Sequence, residues 1–294
     1  KVFESEDARG LARLDENHYL VSNADDNVIA VIDSEGNLIQ KFGESGSREG
    51  QLDNPEGIDW SHNGRLYVAD KDNNRISVFG LDGVFIKAIG KIGLGEDERL
   101  KDPTQVYVDL KERVYVLEKR DNGIVSIFDH NGKTLQRLTS KEFNKLAGNE
   151  TEIINIAIDD KGLLYAADNE NGRILQIDWQ AGKLVSSFGS KGEQRGQFEK
   201  VSGMVVLPGN KIAVADNENK KIEIYRLPKN SYENLKKFYL PTVAFERSIA
   251  LDCTMAYRLL GGDVLCLDAD NNKVATYKSS GKKVQDFEGE FYDL

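Results

Sequence analysis

The chain has 294 residues, with 49 acidic against 39 basic and a formal net charge of -10. A field of that sign favours solubility and repels phosphate backbones and anionic membrane surfaces, so nucleic-acid binding is not expected. No apolar run approaches the ~20 residues that span a bilayer, and the two cysteines form neither a CxxC pair nor a zinc framework.

The chain repeats itself. Six units are predicted, at about 8–43, 46–90, 100–138, 152–189, 196–240 and 245–288, in one domain covering 1–294. The first opens on an inner strand at Gly10–Arg13. The second, from Gly46 to Gly90, is the clearest copy and reads as four short strands: Gly57–Trp60, Leu66–Ala69, Arg75–Phe79 and Phe85–Ile89. Turns at His62-Asn63-Gly64, Asp72-Asn73-Asn74 and Leu81-Asp82-Gly83 use residues that tolerate left-handed backbone. After the third unit comes an insert, Thr139–Gly148, which can form a helical turn. The sixth unit supplies its own outer strand, Lys283–Phe287, so no strand need be shared between the chain ends.

Each second strand ends on an acidic or amide residue: Asn23, Asp70, Glu118, Asp168, Asp216 and Asp268, at steps of 47, 48, 50, 48 and 52 residues. Four strands at this period are the pattern of a propeller, whose blades cannot bury their faces alone. The expectation is an all-β, six-bladed β-propeller of four-stranded antiparallel blades.

The second unit carries Gly50-Gln51-Leu52, Pro55-Glu56-Gly57-Ile58, Tyr67-Val68-Ala69-Asp70, Asn73-Asn74-Arg75-Ile76, Asp82-Gly83 and Ile89-Gly90. This text resembles the NHL repeat of six-bladed propellers, and the fourth and fifth units keep parts of it. The resemblance implies a recognition module binding protein or peptide, with no cofactor. It also raises an alternative, a metal-dependent hydrolase or lyase of the lactonase or amidating-lyase kind with its site at the channel mouth.

The repeating carboxylates read as turn residues that accept backbone N–H bonds, because a site usually breaks symmetry. Glu56 is the metal candidate. Its ungapped counterparts are Arg9, Thr104, Ile154 and Ser202, with Ser248 assigned to the sixth unit, and one carboxylate beside an arginine is a poor cage for calcium, which takes 6–8 oxygens. His18, His62 and His130 fall in hairpins and read as solvated turn residues, too scattered for a zinc site. The loops mix charges, as in Lys119-Arg120-Asp121, and lack the positive stripe of RNA-binding NHL domains.

Partner-binding candidates are therefore the departures from the repeat: Lys119 and Arg120, Phe143 in the insert, Phe245 in an apolar linker, and Tyr257 and Leu259 in a long hairpin of the last unit. Such apolar loops either mark binding surfaces or fold back on the body. Cys253 and Cys266 flank that hairpin. Placed opposite each other they can form a disulfide, which implies an oxidising compartment; the other reading is two free buried thiols. Residue 1 is Lys, consistent with a trimmed chain, and the expectation is a monomeric, extracytoplasmic protein, whether periplasmic, secreted or an ectodomain.

Overall fold

The computed structural model describes residue 5, residues 7–90, 99–159 and 161–227, and, by their backbone, strands at 244–250, 255–258, 264–268, 273–277 and 283–287. Six four-stranded sheets result, each antiparallel and each in chain order. The first holds β1 (Ala8–Arg13), β2 (His18–Asn23), β3 (Val28–Asp33) and β4 (Leu38–Phe42). The second holds β5 (Pro55–Trp60), β6 (Arg65–Asp70), β7 (Arg75–Gly80) and β8 (Phe85–Ile89), close to the strands expected from the turn residues. The third holds β9 (Pro103–Val108), β10 (Val114–Glu118), β11 (Ile124–Phe128) and β12 (Thr134–Leu138). A helix, α1 (Ser140–Ala147), follows. The fourth sheet holds β13 (Ile153–Ile158), β14 (Leu164–Asp168), β15 (Arg173–Asp178) and β16 (Lys183–Gly189). The fifth holds β17 (Val201–Leu207), β18 (Lys211–Asp216), β19 (Lys221–Arg226) and β20 (Ala244–Ala250), and the sixth β21 (Met255–Arg258), β22 (Val264–Asp268), β23 (Lys273–Tyr277) and β24 (Lys283–Phe287).

Contacts divide the chain into two units on either side of the step from Thr139 to Ser140. In the first, β1 lies beside β5 and β5 beside β9; in the second, β13 lies beside β17 and β17 beside β21. Within each unit, successive sheets thus meet along their first strands.

Alternation along the strands decides which sheet each side chain meets. Tyr67, Ile76 and Val78 pack with Val106, Val114 and Phe128 of the third sheet. Their neighbours Leu66, Val68 and Phe79 pack with Leu20 and Ile29 of the first. Both faces are covered, so β10, β11 and β14 are buried at every position. Full burial of one such side chain contributes about 1.5–3 kcal/mol. At Gly57 a Cβ would stand 2.8 Å from the Thr104 carbonyl oxygen, so only glycine lets β5 approach β9 this closely.

Two sequence expectations change here. Ala244–Ala250 was expected to open the sixth unit, with Phe245 in a linker. Instead Lys221 pairs with Ala250 and Tyr225 with Phe245, making this stretch the outer strand of the fifth sheet. The sixth sheet then starts at Met255, inside what read as a long hairpin. The cause is the missing Pro-x-Gly-Ile signal: without it, an alternating stretch reads equally well as an inner or an outer strand.

Candidate functional site

The repeating acids come first, because they could gather a cation if they were free. Both oxygens of Asp70 are occupied. Oδ1 accepts the Asp53 backbone N–H at 2.8 Å and the Asn73 amide at 2.9 Å, and Oδ2 accepts Arg75 Nε at 2.7 Å and Ser77 Oγ at 2.9 Å. Arg75 reaches on to the carbonyls of Ser47, Arg48 and Gln51, so one ion pair ties the preceding loop to the sheet. Glu118 accepts Lys101 N–H at 2.9 Å, Ser126 Oγ at 2.9 Å and Arg137 at 3.0 Å. Asp168 holds Arg173 Nε at 2.8 Å, and Asp216 holds the backbone N–H groups of Glu199 and Lys200, both at 3.0 Å. Asn23 accepts the N–H groups of Asp25 and Asp26 within its own turn. These side chains are blade-building parts.

The bulged positions of the first strands are better candidates. Arg9, Glu56, Thr104, Ile154 and Ser202 are each the second residue of a first strand, where the ladder to the second strand slips its register. Bulges of this kind re-aim a side chain without ending the sheet. Ser248, assigned by sequence to this set, lies instead in β20, opposite Glu223. Glu56 Oε1 accepts Lys71 Nζ at 2.8 Å. Arg9 is held above its ordinary pKa, first by its hydrogen bond to Asp7 and then by the charges of Asp7 and Glu56. In the first of the two units these positions hold one carboxylate, an arginine and a hydroxyl, with Lys71 paired to Glu56; in the second they hold an isoleucine and a hydroxyl. Among the described residues, no three His, Cys, Asp or Glu side chains gather in a metal-binding group.

The other candidates separate. Lys119 is exposed in the loop between β10 and β11. Arg120 beside it bonds Glu118 at 3.2 Å and Asp121 at 2.9 Å. Phe143 is fully buried under α1, a correction to its reading as a partner contact, because the amphipathic helix turns its one aromatic residue inward. The side chains of Phe245 and Tyr257, and Leu259 entirely, lie outside the described residues, as does Cys253. Cys266 in β22 stands across from Ala256, a correction to its expected place opposite Cys253.

Two residues that the sequence reading passed over come together between the second and third sheets. Asp59 Oδ2 accepts the Val108 N–H from β9 at 2.7 Å, and Oδ1 accepts Trp60 N–H at 2.9 Å. Burial pushes this carboxyl up to about 7, against the pull of the two N–H donors. Burial also raises the Tyr107 phenol, with the Asp59 charge adding to it.

In the third and fourth sheets the hairpin aspartates Asp109 and Asp159 hold the hydroxyls of Tyr115 and Tyr165, at 3.1 Å and 3.4 Å. In the second sheet the corresponding residue is Ser61, and Tyr67 has no such aspartate. The acid near Tyr67 is Glu112 of the next sheet, which makes no bond to its hydroxyl; Glu112 takes the place of Gly64 and Gly162 and keeps their positive φ, at 59°. Glu112 lies 3.3 Å from His62 Nδ1 and helps to raise the Tyr67 phenol after burial itself. Burial and then Arg65 lower the Lys87 ammonium, which donates to the His130 carbonyl. His62 and the His130 backbone thus border one cluster, while His18 bonds Asp15 at 2.8 Å elsewhere. The available signal was an acid standing where the repeat has Gly or Ala.

A family model described as a 6-bladed beta-propeller matches residues 47–137. Protein brain tumor of Drosophila melanogaster is 25% identical over 149 residues, which is 51% of this chain and 14% of that protein. Protein lin-41 of Caenorhabditis elegans is 48% identical over 48 residues, 16% of this chain and 4% of that protein. The matched segment is thus a small part of either relative. Among solved structures, a virginiamycin B lyase from Staphylococcus aureus superposes with a TM-score of 0.65 at 13% identity, covering 95% of this chain and 83% of that one. The Cps50 (Swd1) beta-propeller domain from Myceliophteria thermophila gives 0.66 at 15% identity, covering 98% and 87%. At these identities the likeness concerns fold alone. The chain is an all-β propeller of four-stranded antiparallel blades with NHL-like repeats.

Proposed function

We propose that this chain is a six-bladed, noncatalytic recognition module that binds a protein or peptide, working outside the cytoplasm. The observation that carries the reading is the fate of the acids. The repeating carboxylates are spent on their own loops, and Glu56 is neutralised by Lys71. What differs from blade to blade, and so can select a partner, are the bulged first-strand residues, Arg9, Glu56 and Thr104 in one unit and Ile154 and Ser202 in the other, and the exposed Lys119 beside Arg120. Similarity of the repeats to two NHL-type proteins supports a binding role. Export rests on the two cysteines, although the register of β21 and β22 sets Cys266 opposite Ala256, and two free thiols in denatured, unreduced protein would remove that support.

The test is capture of a partner by wild type and by a Lys119→Glu, Arg120→Gln variant, with melting curves for both. Loss of capture with an unchanged melt is expected. Unchanged capture overturns the assignment to this loop. The lyase alternative predicts stoichiometric zinc or calcium in protein purified without chelator, and finding either ion bound at Glu56 would replace the recognition reading.

A further inference from the structure

Seven buried side-chain oxygens have no hydrogen-bond partner among the described residues, and four of them belong to three residues at the seam between the second and third sheets. They are Ser61 Oγ, Tyr67 Oη and both carboxylate oxygens of Glu112. Buried polar atoms are ordinarily paired, so four unpaired oxygens in one place call for an occupant.

The repeat shows where the space comes from. In the third and fourth sheets an aspartate six residues before the tyrosine reaches its hydroxyl, Asp109 to Tyr115 and Asp159 to Tyr165. Ser61 holds that place before Tyr67, and a serine lacks the carboxylate that spans the distance. Glu112 approaches from the next sheet, near enough for its charge to act on the Tyr67 phenol after burial itself, yet no bond forms. Tyr67 is wholly buried and Glu112 is 9% exposed.

We propose that Ser61, Tyr67 and Glu112 hold a monovalent alkali cation, sodium or potassium, between the second and third sheets. Charge sets the class of ligand. A buried carboxylate without a counter-charge is costly. His62 Nδ1 stands 3.3 Å from Glu112 Oε1, but this imidazole is half-exposed and adds charge only when protonated. Arg65 and Lys87 face the same cluster, and neither forms an ion pair with Glu112. With those two cations nearby and a single carboxylate among the ligands, a second positive charge on the ion is repelled more than it is offset. Calcium also takes 6–8 oxygens, where these side chains supply four. A water molecule in the same place accepts the Tyr67 O–H but leaves the charge of Glu112 uncompensated, and it is the competing outcome.

Thermal unfolding at pH 8, where an imidazole ordinarily carries no proton, separates the two in sodium, potassium and choline chlorides of equal concentration. Choline is too large for a site built to the size of a carboxylate oxygen. At about 100 mM salt, sodium or potassium should raise the melting temperature by ~2 °C or more over choline, the better-fitting ion giving the larger rise. Glu112→Gln removes the charge and keeps the shape, and Tyr67→Phe removes one ligand oxygen; each should reduce the difference to under ~0.5 °C, and either serves if the other does not fold. Glu35→Gln, at an exposed acid of the first sheet, should keep the whole difference. Equal melting in the three salts overturns the proposal and leaves water as the occupant. A difference that persists in the site variants overturns it as well, because the ion then binds elsewhere. Backbone strain at Glu112 is read in choline chloride, where no ion contributes.

Discussion

The seam between the second and third sheets and the seam between the fourth and fifth share one geometry and differ in chemistry. At the fourth-to-fifth seam, the positions in question hold Ala157, Val205 and Asn210, Tyr165 is kept by its own Asp159, and Phe188 and Phe198 close on Tyr225 at 4.7 and 5.8 Å between ring centroids. At the second-to-third seam, Asp59 and Glu112 replace alanine and asparagine, and the acid near Tyr67 comes from the adjoining sheet without bonding its hydroxyl. Both seams pack. The difference teaches that apolar strand faces set blade geometry, leaving polar positions at the seam free to acquire another role.

Removing the shared part should have the largest effect. Asp70→Ala strands the buried Arg75 guanidinium and several donors, and should cost about 3–5 kcal/mol in urea denaturation. Asp216→Ala deletes the same anchor in the fifth sheet, where backbone and Asn219 donors are bound and no guanidinium is, so about 2 kcal/mol is expected. Equal costs would show that the ion pair adds nothing to the anchor.

A smaller effect separates the seams by pH. The pKa of Asp59 is raised in the fold, so its contribution to stability is complete below the unfolded value near 4 and lost as pH rises to about 7. Part of the residue reaches solvent, which reduces the effect. Asp59→Ala should therefore gain about 1–2 kcal/mol over wild type between pH 5 and pH 7, measured by denaturation at each pH. No gain would mean that water already solvates the carboxylate in the folded chain.

The smallest effect concerns backbone strain. Glu112 holds a positive φ that the second and fourth sheets meet with Gly64 and Gly162, and neither carboxylate oxygen has a hydrogen-bond partner among the described residues. Glu112→Gly should stabilise by about 1 kcal/mol despite losing the approach of His62. Destabilisation would show that the contacts with His62 and Tyr67 outweigh the strain.

Much of the architecture was legible in the chain itself. Period-2 strands, Asn-Asp-Gly turns and an acid recurring at a near-constant step predicted the sheets, and the strands of the second sheet fell where the turn residues put them. The turn role of Asp70 and Asp168 was also legible, because local hydrogen bonds depend on short separations along the chain. Phe143 was misread, since the burial of a helix face depends on what lies beneath it. The boundary between the fifth and sixth sheets was misplaced because strand pairing joins residues far apart in sequence, here Tyr225 with Phe245.

Sequence alone therefore determined the repeat, its strands and the residues that brace each loop, all consequences of local backbone preference and alternation. Only the tertiary structure decided that Asp59 would take the Val108 N–H and that Glu112 would stand beside Tyr67. Those contacts join separate sheets, and a carboxylate acquires its proton affinity from the surface that encloses it.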